Sequence, residues 1–220
     1  MKIFLSAGHG GSDPGAVANN LIEKNINLNV LLSCKEVLEN HNVDVVCSRI
    51  VDENESVYDE VKEANNSGAD IAFSIHTNAG NGDGFEVFYY TSSEKGKDLA
   101  ERCEKYVKEL GQNSRGCKSG NHLYFIKNTK MPAVLVESFF VDNAKDKEIG
   151  DTVAEQKAFG VAYAKAILEF AGIKFKDKTV ETTSGKLYKV QTGAFKNKAN
   201  AEALKKKINA AGFEAVIVEV

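Results

Sequence analysis

No run of apolar residues in this 220-residue chain approaches the roughly 18 that a membrane-spanning helix needs. The opening MKIFLSAGHGG places one lysine and four apolar residues ahead of a Gly/His turn. That is too short for a secretory core, and no cleavage site follows. The segment reads as a first strand, so the expectation is synthesis in the cytoplasm, with action elsewhere after release. Cys34, Cys47, Cys103 and Cys117 stand alone with no CxxC pair. They read as free thiols of a reduced compartment rather than as a disulfide framework or a thiolate metal site. Internal repeats, low-complexity tracts and an HExxH motif are all lacking. What remains is ordinary for a soluble globular protein, with 43% apolar and 27% charged residues. The length suits one domain plus a small appendage.

The net charge of −3 is unevenly spread. From Lys174 onward ten lysines face five acids, a net of +5, so the preceding 173 residues carry −8. A basic tail on an acidic body points to an anionic surface for the tail, unless its lysines simply solvate a helix face.

The first 170 residues alternate between two periods. Lys2–Ala7, Val43–Cys47, Ile71–Ile75, Phe85–Tyr90, Leu123–Ile126 and Ala133–Val136 read as strands. Helical spacing begins near Glu23 (Val30, Leu31, Cys34, Val37, Leu38) and recurs over Glu53–Ser67, Lys95–Leu110 and Thr152–Phe170. Such alternation predicts an α/β fold, a three-layer arrangement with helices on both faces of a sheet. Residues 174–186 are polar and aperiodic and read as a linker. Residues 187–220 read as strand, helix, strand, with Ala201, Leu204, Ile208 and Ala211 as the helix stripe.

Of four histidines, His9 (SAGHGG) and His76 (SIHTN) each fall just past an expected strand end. Ligands of open α/β sheets gather in the crevice outside those ends. Glu23 opens the first long helix, and Glu137 ends the run PAVLV. Two imidazoles and two carboxylates facing one crevice suit Zn²⁺, which takes three such ligands in catalytic sites and leaves a fourth position open. The remaining carboxylate can then move a proton. The set is spread along the chain and is not a local motif. Taken singly, Glu23 passes for an acid favoured by the helix dipole, and Glu137 for a paired buried acid. His41 (ENHNV) reads as a surface or capping residue, and His122 (SGNHLYF) as a loop residue. Asn78 is placed to orient His76 or to meet a ligand.

The segments AGHGGSDPGA, the helix-opening Glu23, ADIAFSIHTNA and MPAVLVESFFVDN resemble the zinc-dependent type 3 family of N-acetylmuramoyl-L-alanine amidases, over about residues 1–170. The resemblance implies a mixed sheet flanked by helices (phosphorylase/hydrolase-like). It implies Zn²⁺ held by His9, Glu23 and His76, with Glu137 as catalytic acid/base. It implies hydrolysis of the amide between N-acetylmuramic acid and the stem-peptide L-alanine of peptidoglycan. Ser6-Ala7 stands where family loops often have Asp-Pro, and neither residue is an implied ligand. The short stretch Gly80–Gly84 leaves no room for an autoinhibitory insert, so the groove is expected to be open.

YKVQTGAF, an alanine-rich helix and AGFEAVIVEV resemble the sporulation-related (SPOR) repeat, which binds peptidoglycan glycan strands. The usual SPOR module has two β-α-β units, and this chain has one. A piece below about 40 residues rarely folds alone, so a homodimer pairing two half-modules is expected, the alternative being a half-module docked on the catalytic body. The division is then 1–173 catalytic, 174–186 linker, 187–220 half-module. The resemblance fits a phage endolysin or a mother-cell-lysis autolysin acting on the cell wall after release. The competing readings are another zinc hydrolase of wall material (a peptidase or deacetylase) and a non-catalytic wall-binding protein. No membrane or nucleic-acid partner is expected, since Tyr188, Phe195 and Phe213 form no stacking stripe.

Overall fold

A computed structural model describes residues 1–177, 191–210, 213 and 215–218. Residues 1–176 form one compact unit and residues 177–220 a second. In chain order the first unit runs β1 (Lys2–Ala7), β2 (Val17–Ala18), β3 (Leu21–Ile22), α1 (Glu23–Asn40), β4 (Asp44–Cys47), α2 (Val57–Asn66), β5 (Ile71–Asn78), β6 (Phe85–Tyr89), α3 (Glu94–Glu109), β7 (Ser114–Ser119), α4 (Tyr124–Asn128), β8 (Ala133–Phe140), α5 (Ala144–Gly150) and α6 (Val153–Phe170). The second unit contributes α7 (Lys198–Ala210).

Six strands form a mixed sheet in the order β4-β1-β5-β8-β6-β7. β4, β1, β5 and β8 are parallel. β6 runs antiparallel to β8, and β7 parallel to β6. The period of two divides each strand between two cores. Ile3, Leu5, Phe73, Ile75, Val134 and Val136 bury with α1, α3 and α6. Phe4, Ala72 and Leu135 bury on the other face with α2 and α4. The three-layer α/β expectation therefore holds. α1 and α6 pack closely because Gly160 has no side chain, and a Cβ there would lie 2.4 Å from the Val30 carbonyl oxygen. Side-chain caps end the solvent-facing helices: Ser56 accepts from Asp59 N on α2, and Thr152 with Glu155 forms a capping box on α6.

Several sequence-based boundaries move. Leu123–Ile126 is not a strand. Leu123 caps α4, from which Phe125 and Ile126 bury against the β8 side of the sheet; an apolar run this short serves either element. β7 was not anticipated, because SRGCKS is polar and sits at the sheet edge. The β2–β3 hairpin and α5 were also not anticipated. β5 and β8 continue to Asn78 and Phe140, so His76 and Glu137 lie within strands rather than at their ends. α2 starts at Val57, set by its Ser56 cap, not at Glu53.

Most of the expected linker lies outside the described residues, as do residues 187–190 of the first expected C-terminal strand. In the second unit α7 agrees with the expected helix. Residues 191–195 and 215–218 carry no strand assignment.

Candidate metal centre

β1 ends in a loop whose backbone is set for one imidazole. His9 sits between two glycines with φ 65°, a left-handed conformation costly for a side chain bearing a Cβ. Asp13, four residues on, takes its Nδ1 at 2.8 Å. The other ring nitrogen, Nε2, is then turned to Glu23 Oε1 at 3.3 Å. The sequence reading passed over Asp13, although its i+4 spacing within GHGGSD was visible.

Glu23 is the first residue of α1, which has no side-chain N-cap. Its carboxylate is turned inward instead, and the residue is 4% exposed. Oε2 accepts from Ala16 N at 2.8 Å. Oε1 accepts from Thr77 N at 3.1 Å and Asn27 Nδ2 at 3.2 Å. His76 Nδ1 lies 3.1 Å from the same oxygen. The His76 ring covers Gly8, where a Cβ would stand 2.0 Å from its Cε1. The two imidazoles meet edge to face, 5.2 Å between centroids.

Buried Arg49 ties these segments together. It donates to Ala7 O at 2.9 Å and Gly8 O at 3.4 Å, beside His9. It also donates to Lys24 O at 2.8 Å, beside Glu23.

The electrostatics follow from the crowding. The hydrogen bond to Glu23 outweighs desolvation and raises His9 to about 9. Burial works to raise Glu23, yet the hydrogen bonds from His76 and His9 hold it far below the usual carboxylate range. Burial pulls His76 down, but Glu23 and then Glu137 turn the net shift upward. Without a metal, Glu23 is thus an anion between two imidazoles that hold their protons, and a bound cation would take the place of those protons, since a ligating imidazole is neutral.

Among the described residues, His9, Glu23 and His76 form the one His/Cys/Asp/Glu group whose donor atoms lie within 4.8 Å of one another. Their contacts of 3.3 and 3.1 Å to Glu23 Oε1 match the edge, about 3.3 Å, that bonds of about 2.0–2.1 Å subtend at a tetrahedral ion. The donor set fits zinc.

Glu137 stands apart from this trio. Its Cα partners are His76 on one side and Glu86 on the other, and by strand alternation all three side chains share the face of Leu135. Burial pushes the Glu137 carboxyl up to about 7, with His76 opposing. Its Oε2 is buried with no hydrogen-bond partner among the described residues.

A family model described as N-acetylmuramoyl-L-alanine amidase matches residues 3–169. The chain belongs to this amidase family. A SPOR domain model matches residues 174–220. The amidase is 34% identical over 222 residues to the sporulation-specific N-acetylmuramoyl-L-alanine amidase of Bacillus subtilis (strain 168), covering 99% of this chain and 84% of that protein. It is 34% identical over 200 residues to the endolysin of Bacillus phage SPP1, covering 84% and 73%. Among solved structures, the catalytic domain of CwlV from Bacillus (Paenibacillus) polymyxa var. colistinus superposes with a TM-score of 0.73 at 30% identity, covering 79% of this chain and 99% of that one.

The remaining polar positions take ordinary places. His41 caps α1, with Nδ1 2.7 Å from Val37 O. His122 lies edge-on to Phe88. Asn78 donates to Glu86 Oε2 at 3.4 Å rather than to His76.

Proposed function

We propose that this amidase is zinc-dependent, that His9, Glu23 and His76 hold the ion, and that Glu137 is the general acid–base. The bond cut joins the lactyl carbonyl of N-acetylmuramic acid to the stem-peptide L-alanine. The observation that carries the reading is the three-donor cluster with an unpartnered carboxylate oxygen on the neighbouring strand. Bound there, zinc supplies Lewis-acid polarisation of the scissile carbonyl and acidifies water.

The chain's own residues do the rest. Asp13 holds the His9 tautomer so that Nε2 serves as ligand. The backbone N–H groups of Ala16 and Thr77 aim the Glu23 carboxylate. Glu137 Oε2 takes a proton from the attacking water and delivers it to the leaving alanine nitrogen. As the C–O bond forms the C–N bond breaks, leaving a lactyl carboxyl and a free amine. A carboxyl near 7 is matched to moving a proton both ways at neutral pH.

Residues 1–173 serve as the catalytic domain, 174–186 as linker and 187–220 as a half SPOR-like module that holds the enzyme on glycan. The enzyme is made in the cytoplasm and meets peptidoglycan after release. The Gly80–Gly84 loop is short and tied down, its Gly80 and Asn81 N–H both donating to Asp142 Oδ2 at 2.8 Å, which supports an open groove. Two half-modules pair in a homodimer. Phe195, Phe213, Val216 and Val218 are exposed on the second unit, apolar area of the kind a partner covers.

Stripping metal with a chelator is expected to abolish peptidoglycan hydrolysis, and added Zn²⁺ to restore it. Full activity in the metal-free protein would refute the zinc reading. A monomer by light scattering at working concentration would refute the dimer.

A further inference from the structure

Beside Glu137 lies a second charged cluster that the proton-transfer chemistry does not use. Glu86 is 5% exposed and takes two cations on a single oxygen: Arg115 Nε and Lys118 Nζ both donate to its Oε1. Both cations come from β7, the polar edge strand. The Arg115 guanidinium also lies over the Phe140 ring, 5.4 Å from its centroid, so two contacts hold it in place. Its other ion pair, to Asp83, is long at 3.8 Å and solvent-exposed, and contributes little.

Burying a carboxylate is costly unless it is fully paired. Here it fixes two cations whose side chains remain 40% and 35% exposed. Two cations sharing one oxygen keep further N–H donors free, and Arg suits planar bidentate binding of a carboxylate. β7 lies two strands from β8, about 10 Å at the usual strand spacing. Both side chains reach back across the sheet as far as Glu86, the register partner of Glu137.

We propose that Arg115 and Lys118 form a carboxylate-binding subsite for the stem peptide. The group it holds is the free α-carboxylate of the second stem residue, which is joined through its side chain. That carboxylate lies about two residues, ~7 Å, beyond the scissile bond. The assignment rests on the amidase reading. It makes the enzyme prefer stems whose second residue carries a free carboxylate over stems in which that group is amidated.

The test compares two soluble muropeptides that differ only in this group, the α-carboxylate or its amide. With wild-type enzyme the carboxylate form is expected to have the higher kcat/KM, about tenfold or more, mainly through KM. Arg115→Gln and Lys118→Gln, made singly so that Glu86 keeps one partner, should each shrink that ratio, and the double variant should bring it near one. Zinc content and melting temperature report that each variant is folded. An equal rate on both substrates with wild-type enzyme, or a ratio unchanged in the variants, overturns the subsite. If wild-type enzyme cuts neither substrate at the lactyl amide, the amidase reading fails instead.

Discussion

His76 on β5 and Glu137 on β8 are register partners across a parallel strand pair. The proposed ligand and the proposed acid–base are therefore held by sheet hydrogen bonding rather than by loops, as a site that must hold its geometry requires. One residue belongs to the donor trio and the other does not, so their losses should be separable. Glu137→Ala is expected to keep zinc and lose turnover by about 10²–10⁴-fold. His76→Ala is expected to lose the zinc itself. Metal content measured beside kcat checks both, and equal zinc loss in the two variants would contradict the division of roles.

Asp13 touches no proposed ligand position except through His9 Nδ1. Asp13→Ala should weaken zinc binding about 10–100-fold while leaving the melting temperature of the metal-free protein nearly unchanged, because Asp13 is exposed. Competition with a chelator of known affinity measures the first effect. Unaltered zinc affinity would mean that Asp13 does not orient the ring.

How much of this was legible in the sequence differs by residue. The strand and helix periods around Ile3, Phe73 and Val30 carried the layers, since burial on one face leaves a repeating signature. His9, Glu23, His76 and Glu137 stand out as candidates beside glycine and apolar runs, but their spacing is no local motif, and it is the family resemblance that implies a ligand set and an acid–base among them; the structure brings His9, Glu23 and His76 together. Arg49, Glu86, Arg115 and Lys118 do not stand out. Buried Arg49 and Glu86 look like surface residues until the sheet order is known, and partly exposed Arg115 and Lys118 lie on β7, which has no alternation to betray it. Leu123–Ile126 failed for the opposite reason, an apolar run too short to fix its period.

The Glu86 cluster should leave a mark on acid stability. Burial acts to raise the Glu86 carboxyl, but the bonds from Lys118 and Arg115 outweigh it and hold the group below its ordinary value. A depressed folded-state value stabilises the fold above the unfolded value and is lost as pH falls through the folded one. Wild-type protein should therefore lose more of its urea midpoint than Glu86→Gln does between about pH 5 and pH 3. Equal losses would show that the cluster contributes nothing.

Burial pushes the thiols of Cys34 and Cys103 far up, and those of Cys47 and Cys117 to about 11 and about 12. Thiolate is the reactive form. At pH 8 a thiol-specific reagent should leave Cys34 and Cys103 unmodified in the folded protein and label all four in denaturant. Mass spectrometry of the labelled protein decides. Fast labelling of Cys34 without denaturant would contradict its place in the core.

The central claim is the bond that is cut, and digestion of purified peptidoglycan tests it most directly. New free amino groups on L-alanine, without new reducing sugars, are the predicted result. New amino termini on any other residue would contradict the amidase account and make the protein a peptidase.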